Sequence, residues 1–165
     1  YYLFDKPRTW INSGGLGTMG FGLPAAMGCQ LAFPDKDVAC VTGEGSIQMN
    51  IQELSTCSQH NLPVKIIVLN NNFLGMVRQW QELFFEKRYS FTELHNPDFI
   101  MIGKGFGIEG HKVEKRENLE ESIQKMIDHD GPYLLEVVVE MEDNVFPMVP
   151  TGASVSDVIL EPKKV

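Results

Sequence analysis

Two polar side chains, Glu44 and Asn71, stand where two consecutive apolar segments of the sequence end. Glu44 lies between two glycines in the stretch VTGEGSIQMNIQEL, and Asn71 follows 27 residues later in the run NNNFLG. Because most glycine turns need no charge, Glu44 is either an incidental surface residue or a group aimed at a ligand. A carboxylate and an amide oxygen are hard oxygen donors, which suit Mg2+ or Ca2+.

The strands and helices that would position these two residues are predicted from the alternation of apolar segments with segments of helical pattern. The sequence predicts strands at residues 37–42, 64–70, 107–113 and 132–140, with a weaker one at 9–12. It predicts helices at residues 21–33, 49–60, 74–85, 97–106 and 117–130. This alternation predicts an α/β fold, with a mainly parallel sheet and helices on both faces. Ligands bind beyond the carboxyl ends of such strands, and the tips of neighbouring strands lie about 5 Å apart.

The turn after Glu44 offers a second part of a ligand site. Gly45 and Ser46 would present backbone N–H groups at the start of a helix, where phosphate groups bind. Mg2+ takes few protein ligands and completes its octahedron with phosphates and water. The chain carries a net charge of -8, so an anionic ligand would need local neutralisation, by a metal or by helix N-termini, and a diphosphate is expected to bind through a metal.

Composition limits the class of protein. The 165 residues are 43% hydrophobic and 22% charged, which indicates one globular domain rather than disorder. The negative net charge argues against a nucleic-acid partner. The sequence contains no run of membrane-spanning length and no visible signal peptide. Cys29, Cys40 and Cys57 lack metal-ligand spacing and are interpreted as reduced core residues, which suits a cytoplasmic protein.

The glycine-rich run from Gly15 to Gly20 matches G-x-G-x-x-G, the fingerprint of dinucleotide-binding folds. That fingerprint requires a preceding strand and an acidic residue at the end of the next strand. Here Asp35 and Asp37 precede the next strand, which ends at Thr42 and Gly43. A self-contained dinucleotide site is therefore disfavoured, but residues 14–20 must still approach another segment closely.

The segments GEGSIQMNIQELST and LNNNFLGMV resemble the signature of thiamine diphosphate enzymes. With SGGLGTMGFGLPAAMG, NLPVKIIVLNN, LGMVRQWQ and VFPMVPTGASVSDVI, the chain resembles the C-terminal, pyrophosphate-binding domain of the acetolactate synthase large subunit. The resemblance covers nearly all residues and implies the thiamine diphosphate-binding fold over residues 1–140. Residues 141–165 are then expected to cover the active site. The chain opens with YYLFDK rather than Met, and pyrimidine-binding and middle domains are expected ahead of it in a longer chain.

The resemblance implies a metal site formed by Glu44, Asn71 and the backbone carbonyl of Phe73. Glu44 departs from the family pattern, which has Asp at this position. The longer side chain adds about 1.5 Å, so either the turn backs away or metal affinity changes. Glu44 is expected to remain a ligand because its charge and oxygen type are retained.

The resemblance also implies the cofactor and substrate contacts. Met19 would wedge beneath thiamine, and Trp80 would line the substrate channel and favour 2-ketobutyrate as second substrate. The implied cofactor-binding residues are Gly17, Met19, Gly45, Ser46, Asn71, Phe73, Leu74, Gly75 and Met76. The implied channel residues are Met76, Trp80, Thr151 and Gly152. No catalytic residue is expected here, because the activating glutamate of the family lies on the pyrimidine-binding domain.

Without the resemblance, two of these segments have plainer interpretations. Met76, Trp80 and Phe84 share one helix face and would form a core-facing stripe. The last twenty-odd residues have no regular period and would be a loose tail.

The implied activity is the condensation of pyruvate with pyruvate or 2-ketobutyrate, with loss of CO2, in branched-chain amino acid biosynthesis. The implied cofactors are thiamine diphosphate and Mg2+, with FAD held mainly by the middle domain. A homodimer or tetramer with a regulatory small subunit is expected, and the isolated chain is expected to be inactive. Two alternatives stay open: another thiamine enzyme, such as a pyruvate oxidase or a 2-oxo acid decarboxylase, and a non-catalytic module with a degenerate metal site.

Overall fold

The computed structural model describes residues 3–161 of the chain. They form two compact units, each described by itself. The first unit comprises the described part of Tyr1–Asn70 together with His95–Val139. The second comprises Asn71–Leu94 and the described part of Glu140–Val165.

A parallel sheet forms the centre of the first unit. Within the described residues it has the strands β1 (Ala39–Gly43), β2 (Lys65–Asn70), β3 (Glu109–Val113) and β4 (Tyr133–Val138). The strand order is β1-β2-β4-β3, and every pairing is parallel. The predicted α/β fold is confirmed, and β1 and β2 are neighbours in the sheet.

The helices follow the predicted segments closely. The first unit contains α1 (Gly22–Ala32), α2 (Glu44–Met49), α3 (Leu54–Gln59), α5 (Phe99–Gly105) and α6 (Leu119–Asp128), and the second contains α4 (Gly75–Phe84). Short 3-10 turns lie at Ile51–Glu53, Arg116–Asn118 and Val155–Asp157. None of the helices within residues 3–161 is long and apolar enough to cross a membrane.

Both faces of the sheet are packed. On one face, Ile66, Val68 and Leu134 belong to a large buried cluster that includes side chains from α1, α3 and α5. On the other face, Leu135 and Tyr133 pack with Met126 of α6 in a smaller cluster. Burial on both faces is why β2 and β4 read as continuous apolar runs rather than alternating ones.

Two details of the predicted elements are wrong. Residues 9–12, all within the described part, adopt no regular structure, so the weak strand predicted there is absent. The helix predicted at 49–60 begins earlier, at Glu44, and is interrupted at Asn50. The side chain of Asn50 donates a hydrogen bond to the carbonyl of Gly20 at 2.7 Å, a tertiary contact that accompanies this break.

The three cysteines lie in regular elements, as predicted, and all are free thiols. Cys40 and Cys57 are buried, and burial raises the pKa of each thiol to about 11. Cys29 on α1 is only half-buried. The interpretation as core residues is confirmed for Cys40 and Cys57 but not for Cys29.

His111 on β3 contacts Tyr133, a member of the smaller cluster. Its Nδ1 lies 2.8 Å from the hydroxyl of Tyr133. Burial lowers the pKa of His111, Lys125 lowers it further, and Glu121 opposes this shift. Because the folded-state pKa is below the usual value of 6.5, the unfolded chain binds the proton more readily.

We expect the free energy of unfolding to fall as the pH falls from about 6.5 through the lower folded-state pKa of His111. Replacing His111 with Gln removes the titrating group, so the difference in urea midpoint between pH 7.5 and pH 5.5 should shrink. The exposed His60 provides the matched control, His60→Gln. An unchanged pH dependence in His111→Gln would contradict the prediction.

Candidate functional site

Glu44 is the first residue of α2 and follows directly on β1. Its preceding residue, Gly43, has extended backbone angles, with φ -91° and ψ 167°. The side chain of Glu44 is 2% exposed. Glu44 is therefore not an incidental surface residue, which excludes the plainer of the two interpretations.

An asparagine far along the chain holds the Glu44 carboxylate. Asn96 Nδ2 donates to Glu44 Oε1 at 3.3 Å, and Asn96 Oδ1 accepts from Gln48 Nε2 at 3.2 Å. Gln48 Nε2 also donates to the backbone carbonyl of Glu44 at 3.1 Å. Asn96 lies just before α5 and was not identified from the sequence.

The contacts of Asn96 continue across the sheet. Its Nδ2 also donates to Asn70 Oδ1 at 3.2 Å, and Asn70 Nδ2 donates to Glu136 Oε1 at 2.6 Å. Lys112 Nζ lies 3.5 Å from the same Glu136 oxygen. We call Glu44, Asn96, Asn70, Glu136 and Lys112 the polar row.

The glycine-rich segment reaches the start of α2. The backbone N–H of Gly20 donates to Ser46 Oγ at 3.0 Å. A Cβ at Gly20 would lie 2.8 Å from Met49 Cβ, and φ is +86° there, so only glycine fits. The expected close approach of residues 14–20 is thus found. Ser46 keeps its hydroxyl proton for another acceptor, because in this bond its oxygen only accepts.

A cavity of about 770 Å3 lies among the N-terminal segment, α1 and β1. Its lining includes Gly17 and Ser46, two of the residues implied to bind cofactor, together with Thr18 and Gly43. Gly17 has φ +63°. Met19, the implied wedge beneath thiamine, is 41% exposed.

The turn that carries the other implied ligands belongs to the second unit. Asn71 Oδ1 accepts the backbone N–H of Phe73 at 3.0 Å, and a second lone pair on that oxygen stays available for a ligand. A Cβ at Gly75 would lie 3.2 Å from Asn71 Nδ2. Leu74 N donates to the carbonyl of Thr92 at 2.7 Å. The turn therefore has a fixed shape at residues 71–75.

Helix α4 does not carry a core-facing apolar stripe. Met76 is 49% and Phe84 40% exposed, while the buried residues of the helix are Arg78 and Gln79. Trp80 is half-buried and its ring centroid lies 4.9 Å from that of Phe84. The stripe interpretation is wrong because the packing face of this helix is polar.

The polar face of α4 binds the segment at residues 143–148. Gln79 exchanges two hydrogen bonds with the backbone of Val145, at 2.7 and 2.9 Å. Arg78 donates to Asn144 Oδ1 at 2.7 Å and to Glu82 Oε2 at 2.9 Å. The C-terminal segment is thus tied to the helix that carries Met76 and Trp80.

The interpretation of residues 141–161 as a loose tail is wrong for the part that the structure describes. Met148 and Ile159 form an antiparallel bridge, and Ser154 and Asp157 form a capping box. Thr151 and Gly152 lie in an exposed turn between these contacts, with φ +81° at Gly152.

We expect Gln79→Ala to open residues 143–148 locally, because two hydrogen bonds of about 1 kcal/mol each are lost. Hydrogen exchange at Val145 should accelerate by about tenfold or more, while amides of β2 remain protected. Gln81→Ala is a matched control on the same helix, because Gln81 instead bonds to Ser90. Unchanged exchange at Val145 would contradict the assigned role of Gln79.

Within residues 3–161 no cluster of three or more His, Cys, Asp and Glu side chains is arranged to hold a metal. Glu44 offers a cation one carboxylate, which amide, carbonyl or ligand oxygens would complete. This donor set is chemically that of Mg2+ with a phosphate ligand.

Comparisons with known proteins show which proteins this chain is similar to. The chain is 51% identical over 155 residues to the acetolactate synthase isozyme 2 large subunit of Escherichia coli, covering 93% of this chain and 28% of that protein. It is 49% identical over 160 residues to the mitochondrial acetolactate synthase catalytic subunit of Aspergillus candidus, covering 97% of this chain and 23% of that protein. The solved structure of a thiamine diphosphate-dependent 4-hydroxybenzoylformate decarboxylase from Rhodococcus jostii matches with a TM-score of 0.72 and 34% identity, over 77% of this chain and 24% of that one.

The chain spans about a quarter of the length of the curated relatives it matches. Residues 1–137 match the family described as thiamine pyrophosphate enzyme, C-terminal TPP binding domain. The buried acid after β1, the glycine contacts at α2 and this match over most of the sequence lead to one conclusion: the chain belongs to the family of C-terminal thiamine pyrophosphate-binding domains.

Proposed function

We propose that this chain is the diphosphate-binding part of an acetolactate synthase. The whole protein would condense pyruvate with pyruvate or 2-ketobutyrate and release CO2, in branched-chain amino acid biosynthesis. The observation that carries the proposal is the identity of 45–51% to acetolactate synthases of bacteria, plants and fungi, across 93–100% of this chain. Because the chain covers so little of each relative, the activity is proposed for the whole protein.

The residues present fit Mg2+ with thiamine diphosphate. Burial of an ionised carboxylate is costly unless it is paired, so a cation beside the buried Glu44 is chemically favourable. We propose Glu44, Asn71 and the Phe73 carbonyl as the metal ligands, an all-oxygen set that matches the preference of Mg2+. Thiamine diphosphate, when bound, supplies the stabilisation of a carbanion equivalent.

The other contacts of the cofactor are proposed on the resemblance. Gly45, Ser46 and the Leu74–Met76 turn would bind the diphosphate, and Gly17 and Met19 would contact the aminopyrimidine. The Ser46 hydroxyl has a proton to donate to a phosphate oxygen. Trp80, Met76, Thr151 and Gly152 would line the substrate channel.

We further propose that the protein holds FAD outside this chain, forms a homodimer or tetramer, and works with a regulatory small subunit in the cytoplasm. Several relatives are named as large subunits, which supports a partner subunit. The bulk negative charge of the chain supports neither a nucleic-acid nor an anionic membrane partner.

A 2-oxo acid decarboxylase is the second candidate, because the Rhodococcus jostii decarboxylase has a similar structure. Its identity of 34% covers 77% of this chain, whereas the Escherichia coli synthase reaches 51% over 93%. The synthase is therefore favoured, and the product of the reaction decides between the two.

We expect the full-length protein that carries this chain to form acetolactate from pyruvate, and acetohydroxybutyrate when 2-ketobutyrate is added. Products should be measured by chromatography with Mg2+, thiamine diphosphate and FAD present or omitted singly. Formation should stop without thiamine diphosphate or Mg2+. Acetaldehyde as the main product would instead favour the decarboxylase, and acetyl phosphate an oxidase.

Replacing Glu44 with Gln removes a charge while keeping the shape. We expect the Mg2+ concentration for half-maximal activity to rise by at least about tenfold, the loss seen when even a supporting group of a metal site is removed. Glu44→Asp should also weaken Mg2+ binding if the site is built around the longer side chain. Glu120→Gln, an exposed residue of α6, controls for the loss of one acid. Unaltered Mg2+ dependence in Glu44→Gln would remove Glu44 from the ligand set.

A further inference from the structure

The polar row crosses the sheet on one face near its carboxyl ends. Lys112 of β3 is the register partner of Glu136 on β4, and Glu136 is the partner of Val68 on β2. Asn70 lies two residues after Val68, so its side chain projects from the same face. Asn96 then joins Asn70 to the Glu44 carboxylate, so contacts extend from β3 to the residue that follows β1.

The carboxylate of Glu136 fixes the direction of the hydrogen bonds that run from it to Glu44. An ionised Glu136 can only accept, so the amide nitrogen of Asn70 must face it. Asn70 Oδ1 therefore faces Asn96 and accepts from its Nδ2. The oxygen of Asn96 is left to accept from Gln48. Asn96 is thus locked with its donor nitrogen toward Glu44.

Burial makes this orientation costly to change. Asn70, Glu136 and Glu44 are each 2–4% exposed, and a buried donor or acceptor left unpaired costs about 1–3 kcal/mol. A flip of the Asn96 amide would place its oxygen against the Glu44 carboxylate and against Asn70 Oδ1. Both contacts would be repulsive.

We propose that Asn96 is a positioning residue for the Glu44 carboxylate, with Asn70, Glu136 and Lys112 fixing its orientation for divalent-cation binding. The inference rests on the proposed function, because it takes Glu44 as a metal ligand. A glutamate has more rotatable bonds than an aspartate, and Asn96 restricts the extra freedom. Groups that orient a metal ligand typically contribute 10- to 100-fold to metal affinity.

The test uses the full-length protein with saturating thiamine diphosphate and Mn2+ as a paramagnetic substitute for Mg2+. The dissociation constant of Mn2+ is read from the loss of its free electron paramagnetic resonance signal. Asn96→Ala should raise that constant by about tenfold. Asn96→Asp, of nearly equal size, should raise it at least as much, because an oxygen replaces the donor. Asn118, exposed and without a side-chain capping bond, provides the control Asn118→Ala.

A double-mutant cycle separates positioning from general loosening of the fold. The shorter side chain of Glu44→Asp shifts its carboxylate away from Asn96, so adding Asn96→Ala to that background should change Mn2+ affinity by less than about twofold. Thermal unfolding without metal is measured in parallel on every variant. An equal loss of affinity in both backgrounds would overturn the positioning role.

The proposal and the proposed function fail in different ways. If the parent protein binds no Mn2+ in a manner that depends on thiamine diphosphate, the proposed function fails and this inference with it. If the parent binds Mn2+ and Glu44→Gln weakens binding, but Asn96→Ala and Asn96→Asp do not, only the positioning role is overturned.

Discussion

Burial of the Glu44 carboxylate at the carboxyl end of a parallel strand is the constraint on which the site depends. A charged group removed from water needs polar partners that are already in place. One such partner, Asn96, lies just before α5, 52 residues after Glu44 in the chain. The meeting of Glu44 and Asn96 requires β1 beside β2, because Asn70 at the end of β2 supports Asn96. The strand order of the sheet therefore brings the residues of the candidate site together.

Much of the fold could be predicted because the central strands β2 and β4 are largely buried on both faces. The segment KIIVLN, Lys65–Asn70, reads as a strand whatever packs against it. The start of α2 was harder to predict, since Gly43 and Gly45 beside a charged residue resemble a turn. The break at Asn50 is accompanied by a hydrogen bond to Gly20, 30 residues earlier, and no local pattern contains that contact.

The residues of the candidate site also differ in how readily the sequence indicated them. Glu44 was noticed as a polar residue at the end of an apolar run, and the structure shows that it is buried, whereas the role of Asn71, noticed in the same way, stays a proposal. Asn96 was missed because its contacts span 26 to 52 residues and follow no period. Glu136 did carry a signal, as an acid inside the apolar segment YLLEVV. A buried acid in a central strand requires a polar or charged partner. In the structure, the partners of Glu136 are Asn70 and Lys112.

The two units are held by different forces, and this difference explains the error about α4. The first unit buries apolar side chains on both faces of its sheet, and that burial sets its stability. In the second unit, α4 turns Arg78 and Gln79 inward and binds residues 143–148 largely through hydrogen bonds. Each such hydrogen bond contributes only about 1 kcal/mol to the stability of the closed segment, because the same groups form hydrogen bonds to water when the segment opens. The segment at residues 143–148 can therefore open without melting the sheet, which a stripe of apolar residues would have opposed.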